Sequence, residues 1–175
     1  MTVLILGEPG SGKSEAAERL AGELSEGGRK LYIAAMIPYG KEGEERVRRH
    51  RKQRKGKGFL TVEWPTELTG HIRSFGDLSE TTCLLECLSN LAGNEMHTEE
   101  NRKLPMEELT EKILREVLFL CGQAKNTVIV SNRFFEEEGM DLETLFYVRL
   151  TSALNERLKG LVDRVVEITK GENWI

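Results

Sequence analysis

The chain has 175 residues and a net charge of −4, with 39% hydrophobic and 31% charged residues. These values are typical of one globular domain that buries a substantial core, and they exclude a general nucleic-acid binder with a strongly basic surface. No run approaches the roughly 18 apolar residues of a membrane span. We therefore expect a cytoplasmic protein without a membrane span.

The first stretch of the chain predicts a phosphate-binding loop. An apolar run over residues 2–6 leads into Gly7, and residues 7–14 fit the pattern G-x-x-x-x-G-K-S/T at every fixed position. After Ser14, apolar residues recur at helical spacing as far as Leu24. A strand, a glycine loop and a helix in this order are the context in which the pattern binds phosphate. Since the loop begins at residue 7, it starts too early for a signal peptide to precede it. The nucleotide-binding residues predicted here are Gly7, Glu8, Pro9, Gly10, Ser11, Gly12, Lys13 and Ser14.

Each part of this loop has a chemical role in binding a nucleoside triphosphate. The glycines let successive backbone N–H groups turn toward the phosphates, and the helix N-terminus adds its partial positive charge. Lys13 is expected to reach the β- and γ-phosphates and to serve in catalysis. The Ser14 hydroxyl is expected to hold Mg²⁺.

The next part of the chain predicts a basic helix between two strands. Residues 30–35 and 59–64 have the apolar patterns of strands. Between them, residues 41–55 are almost all charged helix formers, so this helix must be largely solvated or lie over a ligand. Eight of the twelve residues from Arg46 to Lys57 are Lys or Arg. In an acidic chain this cluster indicates a local anionic partner, and the lack of interleaved aromatic residues makes nucleic acid an unlikely one.

A later apolar run, residues 81–88, contains an acid in the manner of a Walker B strand. Glu86 is therefore predicted to bind Mg²⁺ directly or through water. The alternative is a strand-end carboxylate that only faces solvent. Residues 94–103 are polar and predict an exposed loop.

The remaining patterns complete an alternating order of strands and helices. They predict helices over residues 105–123 and 142–159 and strands over residues 127–132 and 164–169. This order predicts an α/β domain over residues 1–175 with a three-layer P-loop NTPase-like fold and a mainly parallel central sheet. The three cysteines, Cys83, Cys87 and Cys121, lack C-x-x-C spacing and predict reduced, buried thiols.

Several motifs together resemble the bifunctional adenosylcobinamide kinase / adenosylcobinamide-phosphate guanylyltransferase family of cobalamin biosynthesis. The histidine within the basic helix is the discriminating feature, because the phosphate loop alone occurs in many families. The matching stretches are the phosphate loop, Tyr32-Ile33-Ala34, Glu42 with Arg46-Val47-x-x-His50-x-x-x-Arg54, Thr61-Val62-Glu63 with Leu68, Leu84-Leu85-Glu86-Cys87-Leu88 with Asn94, Val128-Ile129-Val130-Ser131-Asn132, and Asn155.

The resemblance implies two reactions and their participants. His50 matches the family nucleophile, which attacks the α-phosphate of GTP, expels pyrophosphate and passes GMP to adenosylcobinamide phosphate. The other reaction phosphorylates a hydroxyl of adenosylcobinamide from ATP or GTP, with Mg²⁺ as cofactor and Glu86 or Glu63 near the reacting group. The resemblance also implies a homo-oligomer, a trimer in the family. His71 and His97 match no motif and are expected at the surface.

The basic helix has a chemical rationale beside this resemblance. Four arginines could neutralise the triphosphate and the departing pyrophosphate, namely Arg46, Arg49, Arg51 and Arg54. Neighbouring cations should also lower the pKa of His50 and keep the ring nucleophilic.

One departure from the family pattern leaves alternatives open. Arg133 stands where the family has a glutamate after the strand that ends at Asn132. A catalytically reduced or regulatory nucleotide-binding protein is one alternative. A P-loop kinase of another small molecule, in which His50 is incidental, is the other.

Overall fold

The sheet of the computed structural model, which describes residues 1–171, contains six strands joined in one layer. They are β1 (Thr2–Gly7), β2 (Arg29–Ala34), β3 (Phe59–Glu63), β4 (Thr81–Glu86), β5 (Asn126–Asn132) and β6 (Arg164–Ile168). Their order is β3-β2-β4-β5-β1-β6, and every neighbouring pair is parallel. The predicted parallel sheet is confirmed, and β5 lies between β1 and β4.

Six helices connect these strands within the described part of the chain. They are α1 (Lys13–Ser25), α2 (Gly40–Arg54), α3 (Leu68–Phe75), α4 (Leu88–Met96), α5 (Met106–Gln123) and α6 (Leu142–Lys159). Asp141 caps α6, since its side chain accepts a hydrogen bond from the backbone N–H of Thr144. The helices predicted over residues 41–55, 105–123 and 142–159 are confirmed to within one residue.

The two faces of the sheet bury separate apolar cores, which produces the three predicted layers. On one face, Val3 and Ile5 of β1 pack against Ala17 and Ala21 of α1. The opposite face packs against α3, α4, α5 and α6, and this larger core includes all of their inward leucines. The P-loop NTPase-like architecture predicted from the order of the elements is therefore confirmed.

The exposed loop predicted over residues 94–103 is wrong in part. Helix α4 runs on to Met96, and both Glu95 and Asn101 are almost fully buried. The Glu95 carboxylate accepts hydrogen bonds from the backbone N–H of Glu67 at 2.8 Å and from Asn101 Nδ2 at 2.7 Å. Polar residues are buried here because they satisfy one another, and no apolar periodicity signals such an arrangement.

Candidate nucleotide site

The phosphate loop takes the shape that its glycines permit. Gly10 and Gly12 have φ angles of 77° and 88°, in the left-handed region that other residues rarely adopt. At Gly7 a side chain would meet the Ser11 hydroxyl, and its Cβ would lie 2.9 Å from the carbonyl oxygen of Ile168. The loop is closed by a hydrogen bond from the Ser11 N–H to the Glu8 carbonyl at 3.1 Å. Every fixed glycine of the motif thus has a steric reason.

Lys13 begins α1 directly behind this loop. Its side chain is largely buried, and Nζ donates a hydrogen bond to the Glu8 carbonyl oxygen at 3.1 Å. Burial lowers the pKa of Lys13, and the negative charge of Glu86 partly opposes this. A buried ammonium that has only a backbone carbonyl as partner is well placed to exchange it for phosphate oxygens.

Ser14 and Glu86 meet although they lie on different elements. The Ser14 hydroxyl donates a hydrogen bond to Glu86 Oε1 at 3.1 Å. Glu86 Oε2 is buried and has no hydrogen-bond partner among the described residues. Burial raises the pKa of Glu86 to about 7, against the opposing effects of Ser14 and Lys13. A hydroxyl and an unsatisfied carboxylate oxygen fit Mg²⁺, which prefers oxygen ligands, and the buried carboxylate disfavours the solvent-facing alternative.

Asn132 occupies the gap between the loop and Glu86, because β5 separates β1 from β4. Its Nδ2 donates to the Ser89 hydroxyl at 2.8 Å, and its carbonyl oxygen accepts from Asn155 Nδ2 at 3.0 Å. Two of the three asparagines quoted in the family resemblance, Asn132 and Asn155, are therefore in contact. Their hydrogen bonds fix the end of β5 beside the site.

The basic helix α2 lies over the same edge of the sheet and carries His50. The imidazole is half-buried, and its Nδ1 is buried without a partner among the described residues. Burial lowers the pKa of His50, and the charges of Arg54, Arg46 and Arg49 lower it further. The predicted lowering of the His50 pKa by neighbouring cations therefore agrees in direction, but burial is the largest single cause.

The arginines of α2 differ in their surroundings. Arg54 is buried, and its guanidinium lies 3.9 Å from the centre of the Tyr32 ring, where it stacks. Arg46 and Arg49 are exposed, and Arg46 lies 3.7 Å from Glu42. The exposed arginines can move toward a ligand, whereas Arg54 is held by its ring contact.

Glu63, at the end of β3, faces α2 rather than the phosphate loop. Its Oε1 accepts a hydrogen bond from Arg51 Nη2 at 2.8 Å. Both side chains are more than half exposed, so this ion pair contributes little to stability. A bound nucleotide could replace either partner.

One cavity of about 880 Å³ brings most of the predicted site residues together. It opens between the phosphate loop and α2, and its volume suits a nucleotide. The predicted residues that line it are Pro9, Gly10, Gly12, Lys13, Ser14, Arg46, Arg49, His50, Arg54, Glu63 and Glu86. Gly7, Glu8 and Ser11 lie in the loop but outside this lining and support its shape.

Several residues lie away from the cavity. Arg133 is half exposed and pairs with Glu167 of β6 at 3.4 Å, so its positive charge does not enter the site. His71 and His97 are exposed, as predicted. The three cysteines are free thiols, of which Cys83 and Cys87 are buried and Cys121 is partly buried. Cys87 is the exception in this group, because it lines the cavity.

Sequence reasoning missed two residues beside the site. Glu18 of α1 is fully buried, and its Oε2 accepts a hydrogen bond from Lys57 Nζ at 2.7 Å. Tyr32 is buried and lines the cavity under Arg54, although only its place in a family motif had been noted. A glutamate on the inner face of a helix breaks the apolar pattern at one position, and that break is the only sequence signal for Glu18.

Two further searches covered the described residues, one for metal-binding clusters and one for membrane-spanning helices. Within residues 1–171, no cluster of three or more histidine, cysteine, aspartate or glutamate side chains is arranged to hold a metal ion. Any Mg²⁺ would therefore depend on the phosphates and water for its other ligands. None of the helices over the same residues combines the length and the hydrophobicity that a membrane crossing requires.

Comparisons with known proteins identify a family and a similar fold. A family model described as cobinamide kinase / cobinamide phosphate guanyltransferase matches residues 3–174. Among solved structures, the ATPase domain of G40P has a TM-score of 0.56 at 10% identity, covering 95% of this chain and 68% of that one. A KaiC-like protein from Pyrococcus horikoshii OT3 has a TM-score of 0.45 at 16% identity, covering 83% and 67%. No curated protein sequence matches.

Proposed function

Because the chain belongs to the cobinamide kinase / cobinamide phosphate guanyltransferase family, an enzyme family of cobalamin biosynthesis, we propose that one nucleotide cavity serves both reactions. In this proposal the corrinoid and a nucleoside triphosphate are the substrates. The observation that supports it best is the position of His50, which lines the same cavity as Lys13 and Ser14.

For phosphoryl transfer, the loop residues act on the γ-phosphate. Lys13 would leave the Glu8 carbonyl and bind the β- and γ-phosphates, while the loop N–H groups hold their oxygens. Ser14 and Glu86 would hold Mg²⁺, which when bound neutralises phosphate charge. A hydroxyl of adenosylcobinamide then takes the γ-phosphate, and the nucleoside diphosphate leaves.

For guanylyl transfer, His50 is the nucleophile. Its Nδ1 is buried, so Nε2 is the ring nitrogen that would reach the α-phosphate of GTP. The Nε2–P bond forms as the bond from the α-phosphorus to the bridging oxygen breaks and pyrophosphate leaves. GMP then passes to the phosphate oxygen of adenosylcobinamide phosphate, and the N–P bond breaks. The lowered pKa of His50 supports this role, because a neutral ring keeps its lone pair near pH 7.

The arginines of α2 would neutralise the negative charge of the triphosphate and of the leaving pyrophosphate during guanylyl transfer. Arg46 and Arg49 are exposed at the cavity and can approach the triphosphate, which supports their assignment to the pyrophosphate. Arg54 would act from its fixed place against Tyr32. Glu63 would hold Arg51 away from the phosphates until the nucleotide binds.

Covalent labelling tests the role of His50. With Mg²⁺ and GTP labelled at the α-phosphate, we expect acid-labile, base-stable GMP on the wild-type protein and on His71→Ala, an exposed-histidine control. His50→Ala should bind GTP but carry no label. An unlabelled wild-type protein that still binds GTP would remove the nucleophile, and transfer of γ-phosphate to adenosylcobinamide would then separate a lone kinase from a regulatory nucleotide-binding protein.

The remaining proposals concern the oligomeric state of the enzyme, its location in the cell and nucleic acid as a partner. We propose a homo-oligomer, by the family resemblance a trimer, that works in the cytoplasm. Nucleic acid stays an unlikely partner because three of the exposed cations of α2 line the nucleotide cavity, namely Arg46, Arg49 and Arg51.

A further inference from the structure

Glu18 is a buried carboxylate with only half of its hydrogen-bonding capacity used. It lies in α1, and its side chain is fully buried. Oε2 is bound to Lys57, but Oε1 is buried without a partner among the described residues. An unpaired buried acceptor is costly, so it points to a donor that arrives in another state of the protein.

His50 offers the complementary unpaired donor. Within residues 1–171 its Nδ1 is buried without a hydrogen-bond partner, like Glu18 Oε1. The charge of Glu18 raises the pKa of His50, against the larger lowering by burial and by Arg54, so the two side chains lie within electrostatic reach. Lys57, three residues beyond the end of α2, ties that end of the helix to α1 through Glu18.

We propose that Glu18 Oε1 accepts a hydrogen bond from His50 Nδ1–H when nucleotide is bound, and so positions Nε2 for attack on the α-phosphate. The inference rests on the proposed role of His50. A neutral imidazole carries its proton on one nitrogen and its lone pair on the other. Holding the proton on Nδ1 therefore leaves the lone pair on Nε2, the nitrogen that is not buried in the structure.

The same contact would stabilise the intermediate. As the Nε2–P bond forms and pyrophosphate leaves, Nδ1 keeps its proton and the ring gains positive charge. That charge would face the Glu18 carboxylate and disappear when GMP passes on and the N–P bond breaks. Glu18 is then a positioning residue, because it acts through His50 and does not touch the substrate.

The other charged groups near the pair define the competing explanation. Arg54, Arg46 and Arg49 act on His50 from α2, and Lys57 binds Glu18 directly. If Glu18 only holds the end of α2 through Lys57, removing either partner should have the same effect. Gln53 Nε2 is also buried, has no hydrogen-bond partner in the described part of the chain, and is the rival donor to Glu18.

The experiment compares four variants in the full-length protein. They are Glu18→Gln, which removes the charge at nearly constant shape, Lys57→Met, which removes only the ion pair, Gln53→Leu, which removes the rival donor, and Glu23→Gln, an exposed glutamate of α1 as the control. The measurements are the rate of GMP labelling at saturating GTP, γ-phosphate transfer to adenosylcobinamide, and the ¹⁵N shifts of His50 with α,β-methylene-GTP bound.

We expect Glu18→Gln to slow labelling by about 10- to 100-fold, the loss caused by a misplaced reacting group. Its γ-phosphate transfer should stay within about twofold of wild type, as a positioning role at His50 requires. The rate of labelling should fall much less in Lys57→Met and in Gln53→Leu. It should not change in Glu23→Gln. The His50 ¹⁵N shifts should show the Nδ1–H tautomer in wild type and a mixture in Glu18→Gln.

Two results would overturn the inference. One is an equal loss of labelling in Glu18→Gln and in Lys57→Met or Gln53→Leu, and the other is an unchanged His50 tautomer in Glu18→Gln. A wild-type protein that carries no label but shows the tautomer change would instead contradict the proposed function and leave the hydrogen bond in place.

Discussion

Glu86 would couple the protonation of the proposed site to the binding of Mg²⁺. Burial raises the pKa of this carboxyl group to about 7, so it is mostly protonated at pH 6 and mostly ionised at pH 8. In the proposed site Mg²⁺ would bind the ionised form, and proton and metal would compete for the same oxygens. Since the folded-state pKa lies above the ordinary value of 4.5, the unfolded state ionises first, so without a metal the free energy of unfolding falls as the pH rises from about 4.5 to about 7 and stays lowered above that.

We predict that the affinity of the GTP-bound protein for Mg²⁺ falls as the pH drops from 8 to 6. Below the pKa the affinity should approach a tenfold loss per pH unit, since one proton is displaced per metal bound. Glu86→Gln should bind Mg²⁺ weakly and lose this contribution to the pH dependence. Calorimetric titration of Mg²⁺ at several pH values measures both effects.

Glu80→Gln is the control, because Glu80 is an exposed acid that pairs with Lys125 at 3.6 Å. Its Mg²⁺ affinity should follow that of wild type at every pH. An affinity of the wild-type protein that stays flat between pH 6 and 8, beyond the change seen for GTP alone, would mean that Glu86 does not bind the metal.

At the scale of single elements, the loop between β1 and α1 depends on the missing side chain of Gly7. We predict that Gly7→Ala displaces Ser11 or the end of β6, because the new Cβ would lie 2.9 Å from the Ile168 carbonyl oxygen. Nucleotide affinity should drop at least about tenfold, and the free energy of unfolding should fall by about 1–3 kcal/mol. Denaturant unfolding and GTP titration measure the two quantities.

Gly22→Ala is the matched variant inside α1, where an added Cβ meets nothing within 4 Å. There the substitution should raise the free energy of unfolding by about 0.5–1 kcal/mol and leave GTP affinity unchanged, because alanine favours the helix. If Gly7→Ala and Gly22→Ala changed the free energy of unfolding and the GTP affinity equally, the close approach at Gly7 would contribute to neither quantity.

The elements that were predicted well from the sequence have a clear apolar pattern, which is a helical period in the helices and a continuous run in the buried strands. Helices α5 and α6 and the buried strands β1 and β5 belong to this group. The end of α4 was missed because Glu95 and Asn101 are buried through mutual hydrogen bonds instead. Segment α3, which was not assigned as a helix, offers only Leu68 and Ile72 as buried anchors.

The residues of the candidate site also differ in how well the sequence predicts them. The phosphate loop is contiguous in sequence, so its motif fixes both the residues and their geometry. The contact between Ser14 and Glu86 joins positions 72 residues apart and could be expected only from the parallel sheet. The unpaired atoms of Glu18 and His50 depend on how α1 and α2 face each other, which no periodicity of a single element reveals.

At the scale of the whole molecule, two large apolar side chains remain exposed near a second groove. Tyr39 is 77% exposed and Leu142 is 86% exposed, and residues next to Leu142 line a groove together with Tyr39. Apolar surface of this kind is commonly covered by another subunit. We therefore predict that sedimentation equilibrium gives the mass of three 19.8-kDa chains at micromolar concentration. A sample that stays at the mass of one chain on concentration would contradict the oligomer.

The weak packing of helix α2 affects the free energy of nucleotide binding. Arg54 is its only buried residue, and the helix packs little against the other elements. Its local opening should therefore cost much less than global unfolding, and it forms the least cooperative part of the fold. A nucleotide held by α2 must spend part of its intrinsic binding free energy on ordering that helix. Affinity is then set partly by residues on the outer face of α2 that never touch the ligand, and helix-stabilising substitutions there would act as remote modulators of the enzyme.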